Sequence, residues 1–273
     1  MNSSVGNALY YNSDRMEIFD NVSRIQGSEE WSEVTEDEIP SVVNRLTELW
    51  PESLIGVYRR AVIFSSSKNY SGIESILEGN SNLINWNDGS ILFCVVSLDF
   101  SKRLQDLCPS ISKRVVFCGG ICDCYWMPTE VAKALNVECP DEMYFSALED
   151  CHTDIVNSTW AYGSSETYDM VRDIIKFMDT IGLFTKRDSK LVSWALNAVY
   201  GIGLLYTIEE YRNNGYGTLV VKKLANILGT TNRNPFLVTL QSNSIAKSVI
   251  GKCGFISLEP AEFMKMMQYL DNV

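Results

Sequence analysis

Apolar residues recur along this chain with two different periods. From Thr35 to Trp50 the spacing is helical. Thr35-Glu-Asp-Glu38 has the form of a capping box, and Ile39, Val42, Val43, Leu46 and Leu49 then share one face until Pro51 stops the run. The pattern next turns β-rich, with strands predicted over Val57 to Phe64, Ile91 to Leu98 and Arg114 to Phe117. Short helices are predicted over Ile73 to Gly79 and Thr129 to Asn136. Pro140-Asp-Glu142 marks the best boundary, and Tyr144 to Trp160 opens the second half. Beyond it come an amphipathic helix over Ser165 to Met178, paired strands Leu191 to Leu196 and Ile202 to Thr207 around a turn near Asn197, and a helix over Gly215 to Leu228. A strand over Phe236 to Gln241 and a helix over Ser244 to Lys252 complete the series.

Composition narrows the function without naming it. The 273 residues are 46% hydrophobic and 21% charged, which suits a globular chain with a sizeable core. A net charge of -11 leaves no positive footprint for nucleic acid and little attraction to anionic lipid, so neither partner is expected. The most apolar run, Ile91 to Leu98, has strand length, and Met1-Asn-Ser-Ser lacks the basic and apolar regions of a secretory signal. A cytoplasmic location is therefore expected, with the sequons at Asn21, Asn69 and Asn157 silent and the eight cysteines reduced. Cys118, Cys122 and Cys124 are irregularly spaced and His152 is the single histidine, so no metal site is expected.

One segment carries chemistry. An apolar strand from Leu204 runs into a polar turn, then Arg212-Asn-Asn-Gly-Tyr-Gly217, then a helix with Leu219, Val220 and Leu224 apolar. A helix N-terminus offers unpaired N–H groups and the positive end of the helix dipole. Glycines let an anion approach that backbone, making a pyrophosphate cradle to which Arg212 adds charge. No lysine follows Gly217 as a nucleotide-binding P-loop requires, and a dinucleotide fingerprint would need a third glycine and a later acidic residue.

This signature, the following strand, Asn243-Ser-Ile-Ala246 and Lys252-Cys-Gly-Phe255 together resemble the GNAT superfamily of acyltransferases. Leu148 to Trp160, Leu191-Val-Ser-Trp194 and Tyr206 to Arg212 are similar to its glycine N-acyltransferase-like (FR47-like) branch. The resemblance covers about residues 146 to 257 and extends more faintly to Leu46 to Leu54. It implies an α/β (α+β) protein of tandem GNAT-like folds, with mixed, mostly antiparallel sheets flanked by helices. Residues 1–142 would be a degenerate N-terminal copy and residues 143–273 the acyl-CoA-binding domain. It implies acyl-CoA, acetyl-CoA or larger, as co-substrate and a small-molecule amine or amino acid as acceptor. Leu205 and Thr207 would pair with the pantetheine arm. The amides of Asn213, Asn214, Gly215, Tyr216, Gly217 and Thr218 would hold the pyrophosphate, with Arg212 and Asn243 beside them. The amine would attack the thioester directly, with an N–H near Leu205 stabilising the oxyanion.

Two positions depart from the family pattern. Tyr200 to Leu204 contains no carboxylate where a glutamate base is expected, and Ile250 stands where many members carry a tyrosine acid. Glu209, Tyr206 and His152 are the candidate substitutes. The alternatives are a solvated turn carboxylate, a packed aromatic and a core histidine, respectively. Three functions remain open: an N-acyltransferase acting on a small amine, a non-catalytic acyl-CoA-binding protein, and a protein N-acetyltransferase. Oligomeric state is left open.

Overall fold

The computed structural model describes residues 60–62, 91–108 and 113–268, so the helices expected over 35–50 and 73–79 lie outside the described residues. Along the chain run β1 (Arg60–Val62), β2 (Ile91–Ser97), α1 (Leu98–Leu107), β3 (Lys113–Trp126), α2 (Thr129–Lys133), β4 (Met143–Ser146), α3 (Thr153–Thr159) and α4 (Tyr168–Phe177). They are followed by β5 (Thr180–Thr185), β6 (Leu191–Ala198), β7 (Gly201–Thr207), α5 (Tyr216–Thr230), β8 (Phe236–Leu240), α6 (Ser244–Gly251) and β9 (Ile256–Gln268). The chain divides into two compact units, one of residues 1–122 with 259–273 and the other of residues 123–258.

In the first unit β1 lies parallel to β2, and β2 pairs antiparallel with β9 through a bulge between Phe93 and Val96. Ser97 caps α1 by accepting from the Phe100 N–H at 3.3 Å. Phe93, Phe100, Leu104 and Met264 are buried here.

The second unit is a mixed, mostly antiparallel sheet with helices on both faces. Strands β4, β5, β6 and β7 are successive antiparallel neighbours, and β8 then joins parallel to β7. On one face, Ile181, Leu183, Val192, Ile202 and Leu237 form a core with Val220, Val221, Leu224 and Leu228 of α5. Each such side chain contributes about 1.5–3 kcal/mol relative to exposure. On the other face α4 turns Met170, Val171, Ile174 and Ile175 inward. Pro140-Asp-Glu142 leads into β4 inside this unit. Among the described residues no helix is long and apolar enough to cross a membrane.

Several expected elements are present with shifted ends. The helix expected to Asn136 stops at Lys133, because Asn226 on α5 donates to the carbonyls of Ala132 and Lys133, both at 3.1 Å. The helix expected from Ser165 starts at Tyr168, since Thr167 is held by Asn157 at 2.8 Å in the preceding turn.

Where α5 crosses α2, Gly229 leaves no room for a side chain. A Cβ there would stand 2.7 Å from both the Ala132 Cβ and the Lys133 backbone nitrogen. Gly-to-Ala in a helix ordinarily stabilises by about 1 kcal/mol. Overpacking reverses the sign at this contact, so Gly229→Ala is expected to destabilise the protein by about 1–3 kcal/mol in denaturant unfolding.

Candidate functional site

The site is built around one irregularity in β7. Ser193 lies opposite Thr207 and Trp194 opposite Tyr206, but Leu196 lies opposite Gly203, so β7 carries one residue more than β6 between these pairs. Leu204 takes up that extra residue with a left-handed backbone, φ +47°. Such a bulge leaves one residue outside the ladder and bends the strand. Beyond it β7 parts from β8, and their ladder consists of the single pair Ile202 opposite Leu237. The close start of the pair needs Gly201, at φ +96°, whose Cβ would meet the Phe236 carbonyl oxygen at 2.4 Å.

After the bulge the edge of β7 that faces β8 is open. Ile208 N–H donates to Val192 and the Tyr206 carbonyl accepts from Ser193 Oγ, both on the β6 side. Backbone groups alternate between strand edges, so Leu205 and Thr207 direct theirs toward the gap. The Thr207 carbonyl accepts from Arg212 Nε at 3.0 Å. Ser193 Oγ also lies 2.8 Å from Thr207 Oγ1 and fixes that side chain; a lone serine in an apolar strand was the only trace of this role in the sequence.

The loop that follows delivers the chain to α5 through two left-handed residues, Asn213 at φ +66° and Gly215 at φ +79°. Among the described residues no side chain caps α5, and none of their atoms lies within 4 Å of a Cβ built on Gly215. The first N–H groups of the helix, at Tyr216, Gly217 and Thr218, are thereby left without a capping side chain. By contrast, Asn243 Oδ1 caps α6, accepting from Ala246 N–H at 3.0 Å. Asn214 Nδ2 donates within the loop, to the carbonyls of Tyr211 and Arg212 at 3.2 Å.

Arg212 holds the loop rather than projecting from it. Its guanidinium lies over the Tyr206 ring at 5.2 Å and pairs with Glu209 at 3.2 Å. Tyr206 in turn stacks on Trp194, centroids 5.3 Å apart, so the three side chains form one column. Trp194 has no exposed surface, and its indole N–H has no hydrogen-bond partner among the described residues. Leaving such a donor unpaired costs about 1–3 kcal/mol.

Tyr206 and Glu209 are thus brought together around Arg212, and His152 is not. His152 Nδ1 accepts from the Glu149 N–H at 2.9 Å, with its ring edge-on to Phe184 of β5, two strands away from β7. Ile202 and Ile250 are each 1% exposed. Cys253, in the closing Gly-Phe segment, is buried and its thiol is pushed up to about 11 by desolvation, which leaves it a poor nucleophile. No group of three or more His, Cys, Asp and Glu side chains among the described residues is arranged to hold a metal ion.

A polar cluster borders the end of β8. Asp123 accepts from Lys247 at 2.7 Å, from Gln241 at 2.8 Å and from the Tyr125 hydroxyl at 3.4 Å. The Lys247 ammonium and then the Gln241 amide hold the Asp123 carboxyl below its ordinary range, while Asp123 holds Lys247 above its own. A depressed carboxyl stabilises the fold above its unfolded pKa, about 3.9, and that stabilisation is lost as pH falls through the lower folded value. The stability difference between wild type and Asp123→Asn should therefore be constant near neutrality and shrink below about pH 4. A difference that stays constant into acid would show that the charge on Asp123 is not what the cluster uses.

Residues 180–264 match the family model described as FR47-like protein. With the strand, loop and helix just described, this match supports the GNAT superfamily for that part of the chain. No curated protein matches the chain. Among solved structures it is similar to a Drosophila protein, 15% identical over 97% of this chain and 99% of that one, with a TM-score of 0.67; the likeness is one of fold. It also aligns with a tandem GNAT protein from the clavulanic acid biosynthesis pathway, 13% identical over 76% of this chain and 74% of that one, TM-score 0.48. A GCN5-related N-acetyltransferase from Kribbella flavida aligns at 11% identity over 77% and 80% of the two chains, TM-score 0.47.

Proposed function

We propose that this protein is an acyl-CoA-dependent N-acyltransferase that moves an acyl group to the amine of a small molecule or amino acid. The observation that carries the reading is the coincidence of the β7 bulge, the gap between β7 and β8, and an uncapped α5 at the end of the same strand. The gap exposes strand-edge donors and acceptors that match the amides of a pantetheine arm. The N–H groups of residues 213–218, with the helix dipole behind them, match a pyrophosphate. In the glycine N-acyltransferase-like branch the same segment has these roles.

On this reading each residue has a definite task. The amides of Asn213 to Thr218 bind the phosphates. Arg212, fixed by Tyr206, Glu209 and the Thr207 carbonyl, keeps the loop in its left-handed course. Leu205 and Thr207 align the pantetheine arm, and the Leu205 N–H donates to the thioester oxygen as negative charge develops there. Asn243 orders α6 beside the cradle through its cap. Acyl-CoA supplies the activated carbonyl. The acceptor must arrive as the free amine. Tyr200 to Leu204 offers no carboxylate to deprotonate it and Ile250 stands in place of the tyrosine acid, so a water chain takes up the ammonium proton. Tyr206 is the candidate donor to the leaving thiolate.

The absence of a carboxylate in Tyr200 to Leu204 and the buried Ile250 also favour a second reading, an acyl-CoA-binding protein without turnover. A pH–rate profile with a panel of amines separates the two. A water-routed enzyme should release CoA thiol at a rate that climbs with pH as the amine deprotonates. No release at any pH, in the presence of tight binding, would establish the binder.

The cradle itself is tested at Gly217. A Cβ there meets Thr207 Oγ1 at 3.5 Å and Val249 Cγ2 at 3.8 Å, which is ordinary contact, so Gly217→Ala should fold and bind. Gly217→Trp should fold and fill the cradle. Calorimetric titration of wild type with acetyl-CoA is expected to give a micromolar Kd, about 8 kcal/mol, retained in the alanine variant and lost in the tryptophan variant. Undiminished binding by Gly217→Trp would remove the cradle assignment.

A further inference from the structure

The acyl-CoA reading fixes a direction along β7. With the phosphates at residues 213–218 and the pantetheine arm beside Thr207 and Leu205, the acyl end points back toward the start of the strand. There the gap closes. Ile202 is paired with Leu237, and Gly201 lies against the Phe236 carbonyl, so nothing passes between the strands. An acyl group longer than the thioester carbon must turn onto one face of the sheet.

One face is already full, because Ile202 and Leu237 are buried there under α5. The other face carries no side chain at Gly203. Gly203 lies opposite Leu196, and Trp194 opposite Tyr206, so these four residues share that face. The space a side chain at position 203 would take holds the ring of Tyr200 instead. A Cβ on Gly203 would stand 2.9 Å from Tyr200 Cε2 and 3.6 Å from its hydroxyl oxygen. Tyr200 sits in the turn between β6 and β7, and its ring folds back along the strand. Gly203 is two residues from Leu205, about 6–7 Å at the rise of a strand. Leu196 and Trp194, both fully buried, close the side toward β6.

We propose that Tyr200 is the end wall of the acyl pocket and restricts the donor to short acyl groups, of acetyl or propionyl size, excluding medium-chain and aryl acyl-CoA. The inference rests on the acyl-CoA reading of the cradle and adds to it the class of donor and the residue that selects it. Gly203 is the complementary requirement: without its missing side chain the ring could not lie against the strand.

The test is a binding series on the full chain: free CoA, acetyl-CoA, hexanoyl-CoA and benzoyl-CoA titrated into wild type, Tyr200→Ala and Tyr200→Phe. Wild type and Tyr200→Phe should bind acetyl-CoA at least about tenfold more tightly than the hexanoyl and benzoyl thioesters, since both keep the ring. Tyr200→Ala should bring all three thioesters within about threefold of one another and leave free CoA unchanged. If removal of the ring prevents folding, Tyr200→Leu shortens the wall while keeping an apolar contact and should narrow the same ratio. Wild type that binds free CoA but ignores acyl length, or a Tyr200→Ala variant that discriminates as before, overturns the end wall and leaves the cradle standing. Absence of binding to free CoA overturns both.

Discussion

The extra residue in β7 is the constraint on which the rest of this site depends. A regular β7 would present backbone groups to β8 along its whole length, and two parallel strands would seal into an ordinary ladder. Placing Leu204 in the left-handed region, unusual for a branched apolar residue, bends the strand away instead. Such a conformation costs about 1–3 kcal/mol and persists only where the surroundings over-determine it. Here Ile202 is locked into the α5 core on one side of the bulge, and Tyr206 into the Trp194 stack on the other. Strain and packing together keep a gap open inside a sheet that hydrogen bonding alone would close.

That gap explains the chemistry of the loop as well. Because β7 ends bent away, its last carbonyl, on Thr207, is available to Arg212, and the guanidinium can lie flat on Tyr206. Arg212, read in the sequence as a charge near a phosphate, also acts in the folded chain as a clamp on backbone geometry. Its charge is shared with Glu209, which makes that carboxylate a partner of the clamp before it can be anything else. On the acyl-CoA reading, the attraction for an anion would come chiefly from backbone N–H groups, whose positions do not change with pH. In the same way Asn243, read as a residue beside the ligand, contributes first as the cap of α6.

How much of this was legible follows from where the information resides. The strand, the turn, the uncapped helix and the Asn243 helix were readable, because glycine spacing, caps and apolar periodicity are local properties. β5 was not anticipated: Thr180 to Thr185 is buried at every position, so it shows no alternation, and it follows directly on an amphipathic helix. β9 was missed because charged residues interrupt it, at Glu259, Glu262 and Lys265. The bulge is invisible in sequence, since a leucine gives no sign of a left-handed backbone. The column of Trp194, Tyr206 and Arg212 joins two strands and a loop, and only the pairing register places its members together. The close packing of Gly229 on α2 likewise joins residues far apart in the chain.

The single-pair ladder between β7 and β8 has a further consequence, for cooperativity. Strands β4 to β7 are bound to one another by antiparallel ladders of several pairs each, whereas β8 and α6 are joined to them chiefly by side chains packed around α5. Side-chain packing resists separation but does not protect individual backbone amides as a ladder does. The amides of Leu205 and Thr207 should therefore exchange with solvent faster than those of β5 and β6, although all of them lie within one sheet. A molecule lying in the gap would supply the missing rungs. The sheet would then open as one block instead of two, and ligand occupancy would be written into the exchange rates of a strand whose fold does not change.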